Sequence, residues 1–320
     1  MTVHSSNQNI LEALTACIVC DASDLHAINK EQFRHTHALK DPDVVEILRP
    51  YADREFVLNR CGKCGFLQPE GLPKEPRYFE ALYDQKWSEE WMLDDFRNTY
   101  KDSIFRGILI SLEDRLGAER KTLLDVGAHV GKMISIAGER GWKADGLELN
   151  DQTRKIAIKM TGRPIHRMMA AELVETGVRY DAITLTDVLE HIPYPVSVLT
   201  DLRKLLAPGG WISIKVPSGI NQLRKQRIRK ALGKVDRAEI STSLAHVNHF
   251  SPKALMTALG RAGFVRPTVG VGAPELQPGG GIKGSLDRKM RQLVFRFAQL
   301  PLGVYSPLAL NLQAFAQKQA

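Results

Sequence analysis

The sequence predicts an α/β protein in which a small zinc-ribbon-like domain precedes a doubly wound, Rossmann-like sheet. Two observations predict this class. From residue 121 onward, short apolar runs alternate with helical stretches, and repeated βα units form a parallel sheet that binds ligand at the carboxyl ends of its strands. Before that point, all four cysteines fall into two Cys-x-x-Cys pairs. We therefore expect a metal-bound module followed by a nucleotide-binding fold.

The composition is that of an ordinary globular protein, with 43% hydrophobic and 25% charged residues in a chain of 320. A run of about 18 apolar residues is absent, which predicts no transmembrane helix. The first residues, MTVHSSNQNILEAL, lack the basic start and apolar centre of a signal peptide. We therefore expect a cytoplasmic protein.

The formal net charge of +8 is concentrated in two stretches. Such clusters bind nucleic acid, anionic lipid or a phosphorylated substrate, although a solvated helix face is the plain alternative. The basic residues are Arg224, Lys225, Arg227, Arg229, Lys230, Lys234 and Arg237 in the first stretch, and Lys283, Arg288, Lys289, Arg291 and Arg296 in the second.

The two cysteine pairs predict a structural zinc site. Each pair forms a tight turn, or knuckle, that presents two thiolates to one ion, and the glycines of CGKCG relieve the backbone at the second knuckle. Unpaired buried thiols or a redox pair are the alternatives, but no βαβ pattern surrounds either motif. The expected ligands are Cys17, Cys20, Cys61 and Cys64. A zinc ion here would hold together a domain that we place at residues 1–75.

A proline-broken stretch, QPEGLPKEP at 68–76, reads as a linker to the next part of the chain. Tyr78 to Leu116 then reads as helical, because its aromatic residues recur mostly at three- and four-residue steps. Gly117 is expected to end this helix. The helical region, residues 76–120, directly precedes the first strand of the sheet, a position that suits a cap over the ligand.

Residues 121–320 are expected to form the nucleotide-binding domain. The first unit, LLDVGAHVG at 123–131, joins a strand to a glycine turn and a helix. Asp151 is the expected N-cap of the second helix. The expected strands are Thr122 to Val126, a strand from Lys143, one around Ile165, Tyr180 to Leu185 and Trp211 to Val216, and the expected helices are Lys132 to Arg140, Asp151 to about Met160 and Pro195 to Leu206.

Glu148 lies about twenty residues after the glycine turn, at the end of the second strand. An acid at this position accepts hydrogen bonds from the ribose hydroxyls of a bound nucleotide. NAD-dependent dehydrogenases and methyltransferases share this feature, so it does not separate the two classes.

Four motifs in order separate them: DVGAHVG, GLELN, DAITLTDVLEHI and LAPGGWISIKVPS. Together, over about residues 121–270, they resemble the class I S-adenosylmethionine-dependent methyltransferases. The resemblance implies S-adenosyl-L-methionine as cofactor and an antiparallel last strand, here 308–316. It implies that Asp125, Gly127 and Gly131 hold the methionine part and ribose, that Glu148 binds the ribose, and that Asp187, Val188 and Leu189 line the cofactor near its sulfonium.

The chain departs from the family pattern at two places. His129 stands where the family commonly has a glycine. The family often carries an acid for the adenine amino group after the third strand, but this chain reads MMAAE at 168–172. We therefore expect backbone groups near Ala170 and Ala171 to hold the adenine.

The cysteine pairs resemble the zinc-binding domain that precedes some bacterial methyltransferases of sugar and natural-product pathways. Deoxysugar C-methyltransferases of this kind carry a Glu-His pair where this chain has Ala245-His246. Carbon methylation needs proton abstraction from a carbon acid, so loss of the glutamate favours an oxygen or nitrogen nucleophile.

Three histidines are candidates for the base that takes the proton of an acceptor hydroxyl: His191, His246 and His249. Histidine has the appropriate unperturbed pKa. His191 belongs to an EHIP segment that recurs in the family across many substrates, which is a reason against a specific catalytic role. His246 and His249 have metal-ligand spacing, but no third ligand is obvious nearby.

Two segments are expected to be insertions in the methyltransferase domain. The basic one, 221–240, can receive an anionic glycan, a nucleotide-sugar phosphate or a lipid head group. The amphipathic one, 275–305, either rests on the inner face of a membrane or packs on the core.

The expected reaction is transfer of a methyl group from S-adenosylmethionine to a small-molecule or glycan acceptor, which can be a sugar, a polysaccharide or a lipid-linked intermediate, with a hydroxyl as the favoured nucleophile. A nucleic-acid methyltransferase is the first alternative, although the N-P-P-[YF]-like signature of base-flipping enzymes is absent. A non-catalytic cofactor-binding scaffold is the second.

Overall fold

The computed structural model describes residues 10–32, 42–51, 55–83, 86–117, 119, 121–233, 246–276, 281–299 and 303–320. Within these ranges, no helix has the length and apolar character needed to cross a membrane.

The N-terminal part consists of short antiparallel strands and a helix. Strands β2, β3 and β4 form one sheet, and β1 pairs with β5. Its elements are β1 (Leu11–Ala13), β2 (Leu25–Gln32), α1 (Pro42–Leu48), β3 (Glu55–Cys61), β4 (Leu67–Pro69) and β5 (Gly71–Pro73). The stretch expected as a linker, 68–76, was interpreted wrongly, because β4 and β5 occupy it and their side chains are largely buried.

Three helices stand where the sequence predicted one over 78–116: α2 (Tyr78–Tyr83), α3 (Glu89–Arg97) and α4 (Asp102–Leu116). Local capping explains the breaks. The Ser88 side chain accepts a hydrogen bond from the Trp91 backbone N–H at 3.2 Å and starts α3. The Asn98 side chain accepts one from the Tyr100 N–H and turns the chain before α4. Gly117 ends α4 with φ +79°, as predicted.

The rest of the described chain forms a seven-stranded sheet with helices on both faces. The strand order is β11-β12-β10-β9-β6-β7-β8, and β12 runs antiparallel between β10 and β11. The predicted Rossmann-like sheet with an antiparallel last strand is therefore confirmed. Its strands are β6 (Thr122–Val126), β7 (Lys143–Leu147), β8 (Ile165–His166), β9 (Tyr180–Thr186), β10 (Leu206–Pro217), β11 (Val265–Val271) and β12 (Asn311–Gln317).

The helices follow the strands closely. The N-cap of α6 is Asn150 and not the predicted Asp151, because the Asn150 side chain accepts hydrogen bonds from the backbone N–H groups of Gln152 and Thr153. The Pro-Gly-Gly turn at 208–210 interrupts the pairing of β10 with β9. The helices are α5 (Lys132–Glu139), α6 (Asp151–Thr161), α7 (Ala170–Glu175), α8 (Pro195–Leu205), α9 (Gly219–Ala231), α10 (Pro252–Arg261) and α11 (Gly281–Ala298).

The two predicted insertions are partly visible. Helix α9 covers the first half of the basic segment, and residues 234–245 lie outside the described residues. Helix α11 forms most of the amphipathic segment.

The N-terminal part and the large sheet share one apolar core. Val19 and Phe66 pack in the same cluster as Phe250 and Leu255, and the rings of Phe66 and Phe250 lie 5.1 Å apart. Backbone hydrogen bonds in both directions between Leu67 and His249 add a bridge between the two parts. The cysteine module is thus packed against α10 and the loop in front of it.

Candidate active site and metal centre

The turn from Gly127 to Gly131, which follows β6, packs tightly against the side chains of Val188 and Thr161. Gly127 has φ +74°, and a Cβ on it would lie 2.5 Å from Val188 Cγ2. Gly131 has φ +84°, and a Cβ there would lie 2.9 Å from Thr161 Cγ2. Both positions therefore require glycine for conformation and for space. His129, between them, also has positive φ, at +49°.

Glu148 extends from the end of β7 and supports this turn. Its Oε2 accepts a hydrogen bond from the His129 backbone N–H at 2.7 Å, and its Oε1 accepts one from the Asn150 N–H at 2.8 Å. A carboxylate has about four acceptor positions, so two further hydrogen bonds can be accepted. The structure thus fixes the predicted ribose-binding acid at the rim of the sheet.

Asp125 lies on β6 and is buried beneath the turn. Its Oδ1 accepts a hydrogen bond from the Thr184 hydroxyl of the neighbouring strand β9 at 2.7 Å. Burial, and to a smaller extent the charge of Glu148, raises the pKa of Asp125 to about 7. This carboxyl group is therefore near its titration point at neutral pH.

Asp187 and Val188 follow β9, beside the turn. Asp187 has φ +56°, and both of its carboxylate oxygens lie 2.7 Å from Lys215 Nζ on β10. Lys215 is only 2% exposed, so the pair is desolvated on the lysine side. The pair holds the backbone after β9 in its left-handed conformation.

A pocket opens between the glycine turn and the segment that joins α3 to α4. Within the described residues its wall includes Asp95, Tyr100, Lys101, Asp125, Gly127, Ala128, His129, Lys132, Met133 and Thr186. The Tyr100 hydroxyl donates a hydrogen bond to Asp95 Oδ1 at 2.8 Å, and Asp95 Oδ2 lies 3.5 Å from His129 Nδ1. The helical region before β6 therefore forms part of the wall of this pocket, and its role as a cap over the cofactor stays a prediction.

Sequence reasoning missed Asp95, Tyr100 and Lys101 as pocket residues. Their position just before the first strand was noticed, but nothing in the spacing of residues identifies which polar groups of a helix-to-helix turn point into a pocket.

The predicted adenine-binding stretch forms the start of α7. The Met169 backbone N–H donates to Glu172 Oε2 at 2.6 Å, which closes a capping arrangement. Ala170 is buried and Ala171 is exposed. The contact of these backbone groups with adenine stays a prediction.

The three candidate histidines separate into a pair and a single residue. The rings of His191 and His246 meet edge to face, with centroids 4.4 Å apart. His249 points into the core, where burial lowers its pKa to about 4, and a Cβ on Gly219 would lie 2.5 Å from its Cβ. The pair lies next to Glu190, whose side chain is 2% exposed.

The four cysteines converge as predicted. Cys17 Sγ lies 3.6 Å from Cys64 Sγ, Cys20 Sγ lies 3.5 Å from Cys61 Sγ, and all four sulfur atoms lie within 4.8 Å of one another. Tetrahedral zinc with Zn–S bonds of about 2.3 Å requires sulfur separations of about 3.8 Å. The donor set and its dimensions therefore fit a structural zinc ion.

The surroundings of the cysteines favour that site. The Gly65 N–H donates to the Cys61 carbonyl at 2.9 Å, which closes the second knuckle. Ser251 Oγ, at the N-terminus of α10, donates to the Cys64 carbonyl at 2.7 Å. The zinc module is thus tied directly to the loop that carries His246.

Comparison with known proteins agrees with this geometry. A family model described as a methyltransferase domain matches residues 101–266, about half of the chain. The chain is 30% identical over 169 residues to the ubiquinone biosynthesis O-methyltransferase of Leptothrix cholodnii, covering 50% of this chain and 68% of that protein. It is 31% identical over 102 residues to the enzyme of that name from Nitrosomonas europaea, covering 30% and 43%. The match thus spans about two fifths to two thirds of the length of these relatives.

Solved structures share the fold at low sequence identity. The plantazolicin methyltransferase BamL, in complex with a triazolic desmethylPZN analog and SAH, has a TM-score of 0.50 and 15% identity, covering 72% of this chain and 91% of that one. A Haloferax volcanii complex of the Trm112 methyltransferase activator with a methyltransferase has a TM-score of 0.50 and 13% identity, covering 74% and 100%. The glycine turn, the acid at the end of β7 and the family match over residues 101–266 agree, and the chain belongs to the methyltransferase-domain family as an S-adenosylmethionine-dependent methyltransferase.

Proposed function

We propose that this enzyme methylates a hydroxyl oxygen of a small-molecule acceptor. Two observations support the proposal. The relatives with curated names are O-methyltransferases by those names. In this chain, the imidazoles of His191 and His246 lie together beyond the end of β9, the strand that also carries Thr186 of the pocket wall.

We place S-adenosylmethionine at the carboxyl ends of strands β6, β7 and β9. S-adenosylmethionine supplies an electrophilic methyl group on a sulfonium. Glu148 accepts hydrogen bonds from hydroxyl groups of the ribose, and the turn between Gly127 and Gly131 brings backbone N–H groups close to the ligand. Asp125 lies beneath the methionine part, Asp187 and Val188 form the wall near the sulfonium, and the backbone at Ala171 borders the adenine.

The acceptor side is assigned to the histidine pair. The acceptor oxygen attacks the methyl carbon in line, a carbon–oxygen bond forms, the carbon–sulfur bond breaks, and its electron pair stays on sulfur. The hydroxyl proton passes to a neutral imidazole of the pair. A cation held by the two imidazoles would instead lower the pKa of the hydroxyl, so that its proton would pass to water. Burial, together with the neighbouring His191 and His249, lowers the pKa of His246 well below its usual value and keeps it neutral.

We also propose that the acceptor is carried on, or reached from, an anionic membrane surface. Helix α11 supports this reading, because four apolar side chains on one of its faces are about half exposed and basic residues flank them. The apolar residues are Leu286, Met290, Leu293 and Phe297, and the exposed basic residues include Lys289 and Arg296. A lipid-linked glycan or isoprenoid-like phenol is the class of acceptor that this surface suits.

Residues 1–75 are proposed as a zinc module and 76–120 as the cap of the methyltransferase domain, 121–320. In this division zinc has a structural role only. Its module supports the wall of the acceptor site through the Ser251–Cys64 and Leu67–His249 hydrogen bonds.

The proposal is tested with S-adenosylmethionine that carries a ¹³C-labelled methyl group, incubated with the enzyme and a panel of phenols, sugars and lipid-linked glycans. The ¹³C chemical shift of the product distinguishes a methyl group on oxygen from one on nitrogen or carbon. We expect an O-methyl signal that is lost in His246→Gln and retained in the surface variant His26→Gln. A product labelled on nitrogen or carbon would contradict the proposal.

A further inference from the structure

The side chains of Glu190, His191 and His246 converge on one point. Each offers one metal-ligating atom, and these three atoms lie within 4.8 Å of one another. Glu190 and His191 belong to the 3-10 turn Leu189–His191 after β9, whereas His246 comes from the loop before α10. Two imidazoles and one carboxylate on one side of an ion form a common set of ligands for divalent transition metals, which leaves further coordination positions open.

Several buried polar atoms around this point have no hydrogen-bond partner within the described part of the chain. The unpartnered atoms are Glu190 Oε2, His246 Nδ1, Asn248 Oδ1 and the Thr186 hydroxyl oxygen. An unpaired buried polar atom costs about 1–3 kcal/mol. Four such atoms, of which the Thr186 hydroxyl belongs to a residue of the pocket wall, indicate a polar ligand or ion, since an apolar acceptor would leave them unsatisfied.

Hydrogen bonds hold the backbone around these three side chains in place without a bound ion. The Asn248 N–H donates to the Glu190 carbonyl at 3.0 Å, and its side-chain amide donates to the carbonyls of Leu189 and Ile192. Asn248 thus ties the turn that carries Glu190 and His191 to the loop that carries His246. A preformed arrangement of this kind lowers the ordering cost of binding an ion.

The charges around the cluster favour a cation. The Glu190 side chain is only 2% exposed, and Asp187, a second carboxylate, precedes it by three residues in the chain. Asp187 is already paired with Lys215. A divalent cation would compensate the charge of the buried Glu190 carboxylate, whose Oε2 has no hydrogen-bond partner among the described residues.

We propose that Glu190, His191 and His246 bind one divalent transition-metal ion of the kind that imidazole favours, such as Zn²⁺, Co²⁺ or Fe²⁺, separately from the four-cysteine site. The role of this ion rests on the proposed O-methylation. An open coordination position takes the acceptor hydroxyl, whose pKa falls, and its proton passes to water. The acceptor oxygen then forms the bond to the methyl carbon as the carbon–sulfur bond breaks.

The test uses full-length protein that retains its cysteine-bound zinc, titrated with Co²⁺. We expect one equivalent to bind with weak visible d–d absorption and without the strong near-ultraviolet thiolate band that exchange into the cysteine site would give. Glu190→Gln and His246→Gln should each weaken binding at least tenfold. His26→Gln, an exposed histidine outside the cluster, is the control and should bind Co²⁺ as the wild type does.

X-ray absorption spectroscopy at the cobalt edge identifies the ligand atoms in the Co²⁺-loaded wild type and needs no variant. We expect nitrogen and oxygen neighbours with imidazole scattering, and water ligands alone would overturn the proposal. Unchanged binding in Glu190→Gln and His246→Gln, or no binding by the wild type, would overturn it as well. Methyl transfer to a hydroxyl without Co²⁺ binding refutes the metal site alone, whereas Co²⁺ binding with transfer to nitrogen or carbon refutes the O-methylation alone.

Discussion

His129 and Asp187, which follow strands β6 and β9, have left-handed backbone conformations and also make stabilising side-chain or backbone contacts. His129 replaces a common glycine of the family, yet it keeps the left-handed backbone that histidine tolerates better than most side chains. Its N–H donates to Glu148, and its ring approaches Asp95 of the cap. The departure from the family pattern therefore leaves the turn intact and adds a contact between turn and cap. Asp187 pairs likewise with a buried lysine, which offsets the cost of its positive φ.

Asp125→Asn tests the raised pKa of the buried carboxyl group. The carboxyl pKa is about 4 in an unfolded chain and about 7 in the folded one, so the unfolded state loses its proton first as pH rises. Its contribution to stability is complete below about pH 4 and is lost as pH rises to about 7, by up to about 4 kcal/mol. The amide introduced by the substitution cannot ionise, so we expect urea denaturation of the cofactor-free variant to show a smaller stability loss between about pH 5.5 and 8 than the wild type does.

The exposed variant Asp94→Asn is the control and should keep the pH dependence of the wild type. An equal pH dependence in Asp125→Asn and wild type would contradict the assignment.

At the scale of elements, periodicity predicted most of the sheet and its helices, because β6, β9 and the second half of β10 are largely apolar runs that alternate with helical stretches. The breaks between α2, α3 and α4 were missed, since they depend on side-chain caps at Ser88 and Asn98 within a continuous aromatic pattern. Strands β4 and β5 were missed because prolines in a short segment resemble a linker, and only pairing with β3 and β1 makes them strands.

The exposed apolar face of α11 predicts association with anionic vesicles. Leu293→Glu combined with Phe297→Glu places two carboxylates on that face and should strongly reduce co-flotation with vesicles of phosphatidylglycerol and phosphatidylethanolamine. Ile110→Glu, on the exposed side of α4, is the control and should float as the wild type does. Absence of wild-type binding, or equal binding by the double variant, would contradict a membrane contact.

At the scale of the whole molecule, the zinc module and the methyltransferase sheet form one core, and the loop that carries His246 lies where they meet. The sequence was sufficient for the two cysteine knuckles, the glycine turn and the acid after β7, because each is a local motif. It was insufficient for the pairing of His191 with His246, which are distant in sequence and whose two segments are tied together by hydrogen bonds of Asn248. The sequence did contain a signal for the Asp187–Lys215 pair, because a lysine inside the apolar strand WISIKV indicates a buried cation that needs an acidic partner.

Loss of zinc should therefore disturb the proposed acceptor site and reduce methyl transfer. We expect Cys17→Ser to bind one equivalent of zinc less than the wild type, to melt at lower temperature, and to lose methyl transfer before it loses cofactor binding. Metal analysis and thermal melts on the same samples measure this. Ser251→Ala removes the N-cap of α10 and the hydrogen bond to Cys64 but keeps the ligands, so it should retain zinc and be destabilised by about 1 kcal/mol. Full zinc content in Cys17→Ser would contradict the four-cysteine site.

Calorimetric titration of S-adenosylmethionine into the zinc-loaded enzyme tests the central claim most directly, with Glu148→Gln and the exposed Glu175→Gln as the paired variants. The site described here predicts saturable binding of one equivalent, at least tenfold weaker in Glu148→Gln because a charged acceptor of ribose hydrogen bonds is lost, and unchanged in Glu175→Gln. Absence of binding by folded wild type, or equal affinity in Glu148→Gln, would contradict the assignment of the cofactor to the ends of β6 and β7.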